Sequence, residues 1–592
     1  MTLSQDNNSL NTVFLWLQKH SELIALVCLI ILGWLIRVIL AINSGGIIHP
    51  DEVYQSLEVA HKMKYGRGFI AWEFGIPSSP DQDGASRSYL FPLLFYVIFE
   101  LCELGGIPYG TDGTLLVVKI FTATYTTLLI PIVFSVCKEL FPSQDKTDIF
   151  SLFAAFLTTI GFPFLYFGVR TFTNSFVTVP IFLAIFLHLL ATKKADEIIS
   201  KRVIVLEFAA GTLLGFACAL RMDSFIFFVP FFFLYHQNTR KMLYLYSALV
   251  CGFIGTFFIQ GLSDLVYYGI FLISPINWVK YNIIEGKSSQ YGTLPALYYV
   301  EQLINNSFYA VFFAIVIVIL VIRVSYKLVH NREGKMEDPW FFTILKLLIW
   351  FLISLGIFSL VGHKEDRFIF SLYPIIMILF SAAIKECFEI IESSYIYLST
   401  VLLSRFNTKL LTNQNRIRTI KMSFLLLCCL FIIQMNIISI NNTNWTLHDY
   451  NNKALEWVGR QEDSTGVIFV GHWRDCGCWT YLHKNISLFY FGDHPDENEK
   501  WIHLPPSYNY LIAPHYQYEL LEELREQITV NFTLVETIDN KADIWRLKEL
   551  IVIKEAEENT QTHIQIFDLE EFVSTYTEKL RMGIHLAICL TN

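Results

Sequence analysis

Two adjacent carboxylates open the chemistry of this chain. Within "HPDEVYQSLEVAH", residues 49–61, Asp51 and Glu52 stand close to His49, and Glu58 and His61 follow. A carboxylate so placed can take the proton of a hydroxyl nucleophile or orient that hydroxyl for attack, and residue types alone do not separate the two roles. Pro50 stiffens the approach to Asp51. Glu52, Ser56 and Val59 recur at helical spacing, so the pair is predicted to open a helix. The plain alternative is a solvated connector.

A second cluster, "VGHKEDRFIFSLYP" (361–374), places five consecutive ionisable residues, His363 to Arg367, between two strongly apolar runs. Charge at membrane depth is costly unless it lines a water- or ligand-filled cavity, so this segment is expected to line one, with a snorkelling turn as the alternative. In "GVRTFTNSF" (168–176), Arg170 and Asn174 share one helical face, and "RSYLFP" (87–92) returns a cation, Arg87, to the edge of an apolar run. Asp81 and Asp83 form a D-x-D-G pattern without the later acid that a calcium loop needs. "RMDS" (221–224) and "SDLVYYG" (263–269) interrupt other apolar runs and read equally well as structural or functional.

The elements that must carry these residues are membrane spans. The 592 residues are 54% hydrophobic, with 51 Phe, and mean hydropathy is +0.45. Apolar runs long enough to cross hydrocarbon are predicted at 21–43, 89–104, 114–136, 149–169, 175–191, 204–220, 222–236, 243–263, 308–325, 341–361, 368–385 and 422–440. The first reads as a signal anchor. A net charge of −9, scattered over polar segments, leaves no nucleic-acid footprint.

Basic clusters at 193–202, 240–241, 323–335 and 405–421 are expected on the cytosolic side. N-x-[ST] acceptors at Asn305, Asn441, Asn444, Asn485 and Asn531 are expected to be glycosylated in a secretory lumen. Alternation then gives a cytosolic segment 1–20, a multispanning region 21–440 with a lumenal loop 44–88, and a lumenal domain 441–592. Opposite ends on opposite sides require an odd count, about eleven crossings, with one run between 89 and 169 re-entrant or interfacial. The tail alternates "TGVIFVGH", "NISLFYF", "YNYLIA" and "TVNFTLVETI" with a helical "YQYELLEELREQ", which predicts a small mixed α/β domain. Cys476 and Cys478 in "RDCGCW" are separated by one residue and cannot easily bond each other, so their state is open.

Together, "HPDEVYQSLEVAHKMKYGRGFIAWEF" (49–74), "RSYLFP", "RTFTNS" (170–175), "YGTLP" (291–295) and "GHKEDRFIF" (362–370) resemble the endoplasmic-reticulum mannosyltransferases that use dolichyl-phosphate mannose. These are glycosyltransferases of family 22 in the GT-C superfamily. "QSLEVAH" and "GFIAWEF" are most similar to the branch that adds the third, α-1,2-linked mannose of the GPI core. Three stretches depart from that pattern: a longer loop 75–86, "TLP" in place of "THP", and "GHWRDCGCW" in the tail.

The resemblance implies a multi-pass GT-C-type fold, a lumenal active site and a GPI-precursor acceptor, with transfer inverting from a β-linked donor to an α product and no essential cofactor. It also implies Asp51 or Glu52 as the base, with His49, Gln55, Glu58 and Asn174 toward the acceptor. His363, Lys364, Arg367, Arg87 and Arg170 are then expected toward the donor phosphate. The fourth GPI mannose and a late N-glycan mannose are alternatives within the class. A lipid or solute transporter is the reading from outside it, against which stand the lack of an internal repeat and the gathering of charges at loop ends.

Overall fold

The computed structural model describes residues 20–76, 83–107, 112–142, 148–195, 200–228, 242–305, 339–403, 414–471, 473–484, 486–491, 507–519, 532–554 and 563–567, with isolated positions at 314, 318, 319, 321, 322 and 521. They group into two compact units: Met1–Ala41, Trp72–Phe91 and Lys119–Thr443 in the first, and Ile42–Ala71, Pro92–Val118 and Asn444–Asn592 in the second. The "HPDE" segment therefore belongs to the unit that contains the tail.

Eight helices among the described residues are long and apolar enough to cross a membrane: Ser21–Asn43, Gly113–Leu140, Thr173–Lys193, Lys201–Leu220, Tyr246–Tyr268, Trp340–Leu360, Asp366–Tyr397 and Arg416–Asn441. They answer eight of the twelve expected runs. The run at 89–104 is a 15-residue helix, Leu90–Leu104. The runs at 222–236 and 308–325 lie mostly outside the described residues.

The run at 149–169 breaks into Ile149–Ile160 and Phe162–Tyr166, because Gly161 is extended and Pro163 has no N–H to continue the ladder. Side chains from other helices take several of the polar groups freed at that break. Arg37, fully buried in the first span, donates from Nη1 to Gly33 O (3.1 Å) and Thr159 O (3.2 Å), and from Nη2 to Thr158 O (2.8 Å). Phe162 N donates to Asn436 Oδ1 at 2.6 Å. Pro180 inside the helix Thr173–Ala195 frees the carbonyl of Phe176, which accepts from Tyr125 Oη at 3.0 Å. Buried backbone acceptors in hydrocarbon demand such partners. Close packing supplies the rest of the cohesion. A Cβ added at Gly211 would lie 1.9 Å from Leu249 O, and one at Gly252 would lie 2.2 Å from Phe208 O, so these two glycines let the spans Lys201–Leu220 and Met242–Tyr268 touch backbone to backbone.

In the second unit a six-stranded sheet runs in the order β2-β1-β3-β5-β4, with β6 on β5. The strands are β1 Gly466–Val470, β2 Ser487–Phe491, β3 Ser507–Pro514, β4 Phe532–Ile538, β5 Ala542–Lys554 and β6 His563–Phe567. β1 is parallel to β2 and β3 and entirely buried, which is why its sequence, "GVIFV", is continuously apolar. β5 is antiparallel to β3, β4 and β6. The four strands expected from the sequence are β1 to β4, whereas β5 and β6 were not foreseen. Most of the expected helix at 516–527 lies outside the described residues.

Candidate active site

The approach to the carboxylate pair is fixed on both sides. Ile47 N donates to Leu447 O at 3.0 Å, and Gly45 O accepts from Asn452 Nδ2 at 3.1 Å. Pro50 O then accepts from Val53 N (3.0 Å) and Tyr54 N (2.9 Å), so Asp51 and Glu52 form the first turn of a helix, as their spacing predicted. Val53–Leu57 continue as a π-turn, a widened geometry common at functional sites, before the α-helix Glu58–Tyr65. Gly66 closes that helix in the left-handed conformation (φ 73°), with its N–H on Lys62 O. A Cβ at Gly68 would lie 2.3 Å from Glu58 O, so the chain doubles back against the helix only because this residue has no side chain.

The two carboxylates occupy different environments. Asp51 keeps a quarter of its side chain exposed and accepts from Gln55 Nε2 at 2.7 Å. Its backbone N–H donates to His49 Nδ1 at 3.2 Å. Glu52 is buried, and its Oε1 accepts the backbone N–H of Ile48 at 2.8 Å, an acidic cap on the turn that leads into the helix. Adjacent in sequence, they face solvent and core respectively.

Six residues beyond Glu52, Glu58, expected toward the acceptor, is fully buried. Its Oε2 accepts from Phe69 N (2.8 Å), and its Oε1 accepts from Thr480 N (2.6 Å) and from the Thr480 hydroxyl (2.5 Å). Burial pushes its carboxyl up to about 7 against the opposing pull of those donors. Beside it Tyr54 Oη donates to Cys476 O (2.8 Å) and lies 2.9 Å from Cys478 Sγ. Tyr490 Oη lies 3.3 Å from Cys476 Sγ and 2.8 Å from Cys478 Sγ. No disulfide joins these two cysteines. Burial raises the Cys478 thiol well above its ordinary range, so it stays protonated and packs as a small polar apex. The "CGC" segment thus fastens the helix that carries Asp51 to the sheet domain of the same unit.

The expected phosphate ligands are distributed over the first unit. Arg367 is buried, with its Nε 2.5 Å from Glu365 Oε2 and its guanidinium 5.0 Å from the Phe172 ring and 5.5 Å from the Phe368 ring. Phe172 lies between Arg170 and Asn174 in the chain, and both of these are buried. Arg170 sits 5.8 Å from the Tyr166 ring. Arg221, paired with Asp223 at 2.8 Å, stacks on the same Phe368 at 4.8 Å. The aromatic rings therefore gather arginines from three separated segments, and the third, "RMDS", had no assigned role in the sequence.

His363 is 2.9 Å from Glu365 Oε1, which raises its affinity for a proton, and 3.3 Å from Gly292 O. Lys364 is turned inward and donates to Leu294 O (2.9 Å), Val361 O (2.5 Å) and Gly362 O (3.4 Å), so its charge is spent holding the "YGTLP" loop. Burial lowers its pKa. Glu365, part of the ionisable cluster but given no role of its own by the sequence, links His363 to Arg367. It is itself held by Tyr299, whose Oη accepts the Glu365 N–H at 3.2 Å. Arg87 is taken up by Glu73 at 3.0 Å. Asp83 of the D-x-D-G pattern is 2.9 Å from Lys287 Nζ, and Asp81 lies outside the described residues.

Among the glycosylation acceptors, Asn305, Asn441 and Asn444 are exposed. Asn444 Oδ1 accepts from Thr446 N (3.2 Å) and Thr446 Oγ1 (3.4 Å) within its own N-x-T triplet. Asn485 and Asn531 lie outside the described residues.

Comparison with known proteins places this arrangement. GPI alpha-1,2-mannosyltransferase 3 of Mus musculus is 26% identical over 367 residues, 60% of this chain and 58% of that protein. Mannosyltransferase APTG1 of Arabidopsis thaliana is 28% identical over 363 residues, 59% of this chain and 57% of that one. Alpha-1,2-mannosyltransferase ALG9 of Mus musculus is 26% identical over 353 residues, 58% and 52% respectively. The chain thus spans between half and three fifths of the length of these relatives.

Among solved structures, ArnT from Cupriavidus metallidurans bound to undecaprenyl phosphate superposes with a TM-score of 0.51 at 11% identity, covering 89% of this chain and 98% of that one. The Archaeoglobus fulgidus oligosaccharyltransferase gives 0.50 at 15% identity, covering 84% and 70%. The fold is accordingly of the GT-C type, multispanning and helical with a small sheet domain. The family model of the Alg9-like mannosyltransferases matches residues 27–483, more than three quarters of the sequence. The chain belongs to the Alg9-like mannosyltransferase family.

Proposed function

We propose that this chain transfers mannose from dolichyl-phosphate mannose to a glycolipid acceptor at the lumenal face of the endoplasmic reticulum, adding the third, α-1,2-linked mannose of the GPI precursor. Family membership and the GPI alpha-1,2-mannosyltransferase 3 relatives support the reaction class and the acceptor. The observation that carries the mechanism is the unequal burial of the two carboxylates. Asp51 remains exposed enough to meet a hydroxyl, while Glu52 is occupied with Ile48 N–H.

In this reading Asp51 accepts the proton of the acceptor hydroxyl as its oxygen bonds to C1 of the mannose. The bond from C1 to the donor phosphate oxygen breaks, dolichyl phosphate leaves, and the single displacement inverts the anomeric centre. A general base of this kind contributes about a hundredfold or more. Negative charge growing on the leaving phosphate requires fixed cations, and Arg367, Arg170 and Arg221, stacked on Phe172, Phe368 and Tyr166, are suited to supply them. Glu365 is a positioning residue. It orients Arg367 and favours the protonated form of His363.

The direct test uses the full chain in nanodiscs with dolichyl-phosphate [3H]mannose and a two-mannose GPI acceptor. Formation of a labelled three-mannose product is expected, and no label transfer to that acceptor would refute the reading. The similarity to Alpha-1,2-mannosyltransferase ALG9 supports one second reading, transfer to a dolichol-linked oligosaccharide, which the same assay detects with that acceptor.

A further inference from the structure

The span Met242–Tyr268 has an exposed apolar side, on which Ile254, Phe258 and Val266 are exposed by 59, 56 and 77%. It ends at Gly269, in the left-handed conformation (φ 74°), where an aqueous loop would ordinarily turn polar side chains outward. In the first half of the segment that follows, residues 270–284, every exposed side chain except Lys280 is apolar. The segment's outward apolar side chains continue that face: Ile270 at 56%, Ile276 at 60%, Ile283 at 66%, Ile284 at 75%, Tyr291 at 51% and Leu297 at 63%. Several of its polar groups point inward, while Lys280, Glu285, Ser289, Gln290 and Thr293 are exposed. Ser274 N and Oγ donate to the buried Asp264 Oδ2 (2.9 and 2.7 Å), Asn277 Nδ2 to Gly84 O (2.9 Å), and Lys287 Nζ to Asp83 Oδ1 (2.9 Å), while the Tyr281 ring packs at a tilt against Trp72, centroids 4.6 Å apart. The short helical pieces Ile273–Val279, Lys280–Ile284 and Lys287–Tyr291 are far too brief to cross a bilayer.

We infer that residues 270–297 form an interfacial element seated in the head-group and acyl boundary of the leaflet where the span Met242–Tyr268 ends, and that the partner of this surface is bilayer lipid. Three observations select that occupant. The apolar face is continuous with that of the span. The segment is pinned from within by polar bonds, so the outward isoleucines are not waiting to fold into the protein. Lys280, with 47% of its side chain exposed and its Nζ 3.6 Å from Glu285 Oε1, places charged groups beside Ile283 and Ile284, the mixture of apolar and charged side chains that interfacial helices present at the head-group boundary. The inference does not depend on the transferase reading. It does bear on it, since Gly292 O and Leu294 O of the same segment contact His363 and Lys364.

Hydroxyl-radical footprinting of the unmodified full chain in phosphatidylcholine nanodiscs tests this with a built-in comparison. Tyr291 and Tyr516 have nearly equal exposure in the protein, 51 and 47%. If lipid covers 270–297, Tyr291 is oxidised several-fold more slowly than Tyr516; equal rates overturn the inference. A second measurement identifies the cover. p-Benzoylphenylalanine placed at Ile283 or Ile284 is expected to form photoadducts with tritiated phosphatidylcholine, whereas the same probe at the exposed turn residue Asn540 does not. Protection of Tyr291 without lipid adducts at Ile283 and Ile284 also overturns the inference, because the cover would then be protein.

Discussion

The separation of Asp51 from Glu52 is the prediction with the sharpest consequence. Asp51→Asn keeps the side-chain shape, and its amide oxygen can still accept from Gln55, so the helix start survives while the base is lost. Transfer is expected to fall by about a hundredfold or more. Glu52→Gln keeps an oxygen for the Ile48 N–H and loses only the charge on that bond. A hydrogen bond to a charged group contributes about 1.5–3 kcal/mol and a neutral one about 0.5–1.5, so this variant loses about 1 kcal/mol of stability. In a unit of this size that is a melting shift of roughly 2–4 °C. Its transfer rate should stay within a few-fold of the parent protein. Initial rates with labelled donor, normalised to folded protein in nanodiscs, measure both variants. Near-normal transfer by Asp51→Asn, together with collapse of Glu52→Gln at unchanged melting temperature, would reverse the roles and refute the reasoning from burial.

Three further outcomes follow from the same geometry. Glu365→Gln should raise the donor KM several-fold, because Arg367 loses its orienting partner, and should move the alkaline limb of the pH profile to lower pH as His363 releases its proton more readily; Arg367→Ala should raise the donor KM and move that limb the other way, to higher pH, because the guanidinium charge opposes protonation of His363. A Glu58 carboxyl raised to about 7 from an ordinary 4.5 contributes stability that is fully present below pH 4.5 and lost as pH rises through 7, about 3 kcal/mol at most. His61, pushed down to about 4 by burial, works in the opposite direction between pH 4 and 6.5 and masks part of this in the parent protein. The melting difference between Glu58→Gln and parent should therefore move in favour of the variant from pH 4.5 to 8, and a difference independent of pH contradicts the assignment. Lastly, Asn441 and Asn444, exposed in N-x-[ST] triplets, should carry glycans removable by endoglycosidase, whereas a glycan acquired at an acceptor engineered beside Lys194 would invert the proposed orientation.

Hydropathy made the spans legible because crossing hydrocarbon is a demand on composition. It failed at 149–169, where a single apolar run hides the Gly161 and Pro163 break and its compensation by Arg37 and Asn436. β1 to β4 showed as apolar runs between turns. β5, "ADIWRLKELIVIK", is interrupted by Asp543, Arg546, Lys548 and Glu549, and pairing with strands on both sides outweighs that pattern. At the candidate site, residue types located Asp51, Glu52, Arg170 and Arg367. Burial then distinguished neighbours that the sequence treats alike, turning Lys364 onto carbonyls and Glu58 into the core. Arg221 and Glu365 stood in clusters that the sequence singled out, but their roles were left open for a physical reason. Arg221 meets Phe368 only once distant segments have packed, and the pairing of Glu365 with Arg367 two residues on depends on the local backbone geometry, which residue types do not specify.

The central claim, addition of the third GPI mannose, is tested most directly by the mannolipids of cells that lack this protein, labelled with [3H]mannose. A GPI precursor stalled at two mannoses is expected, with dolichol-linked oligosaccharides of full size, and re-expression of the parent chain but not of Asp51→Asn should restore the three-mannose species. A precursor stalled at three mannoses, or a truncated dolichol-linked oligosaccharide beside normal GPI lipids, would contradict the proposed acceptor, and unchanged lipids of both kinds would contradict mannosyl transfer itself.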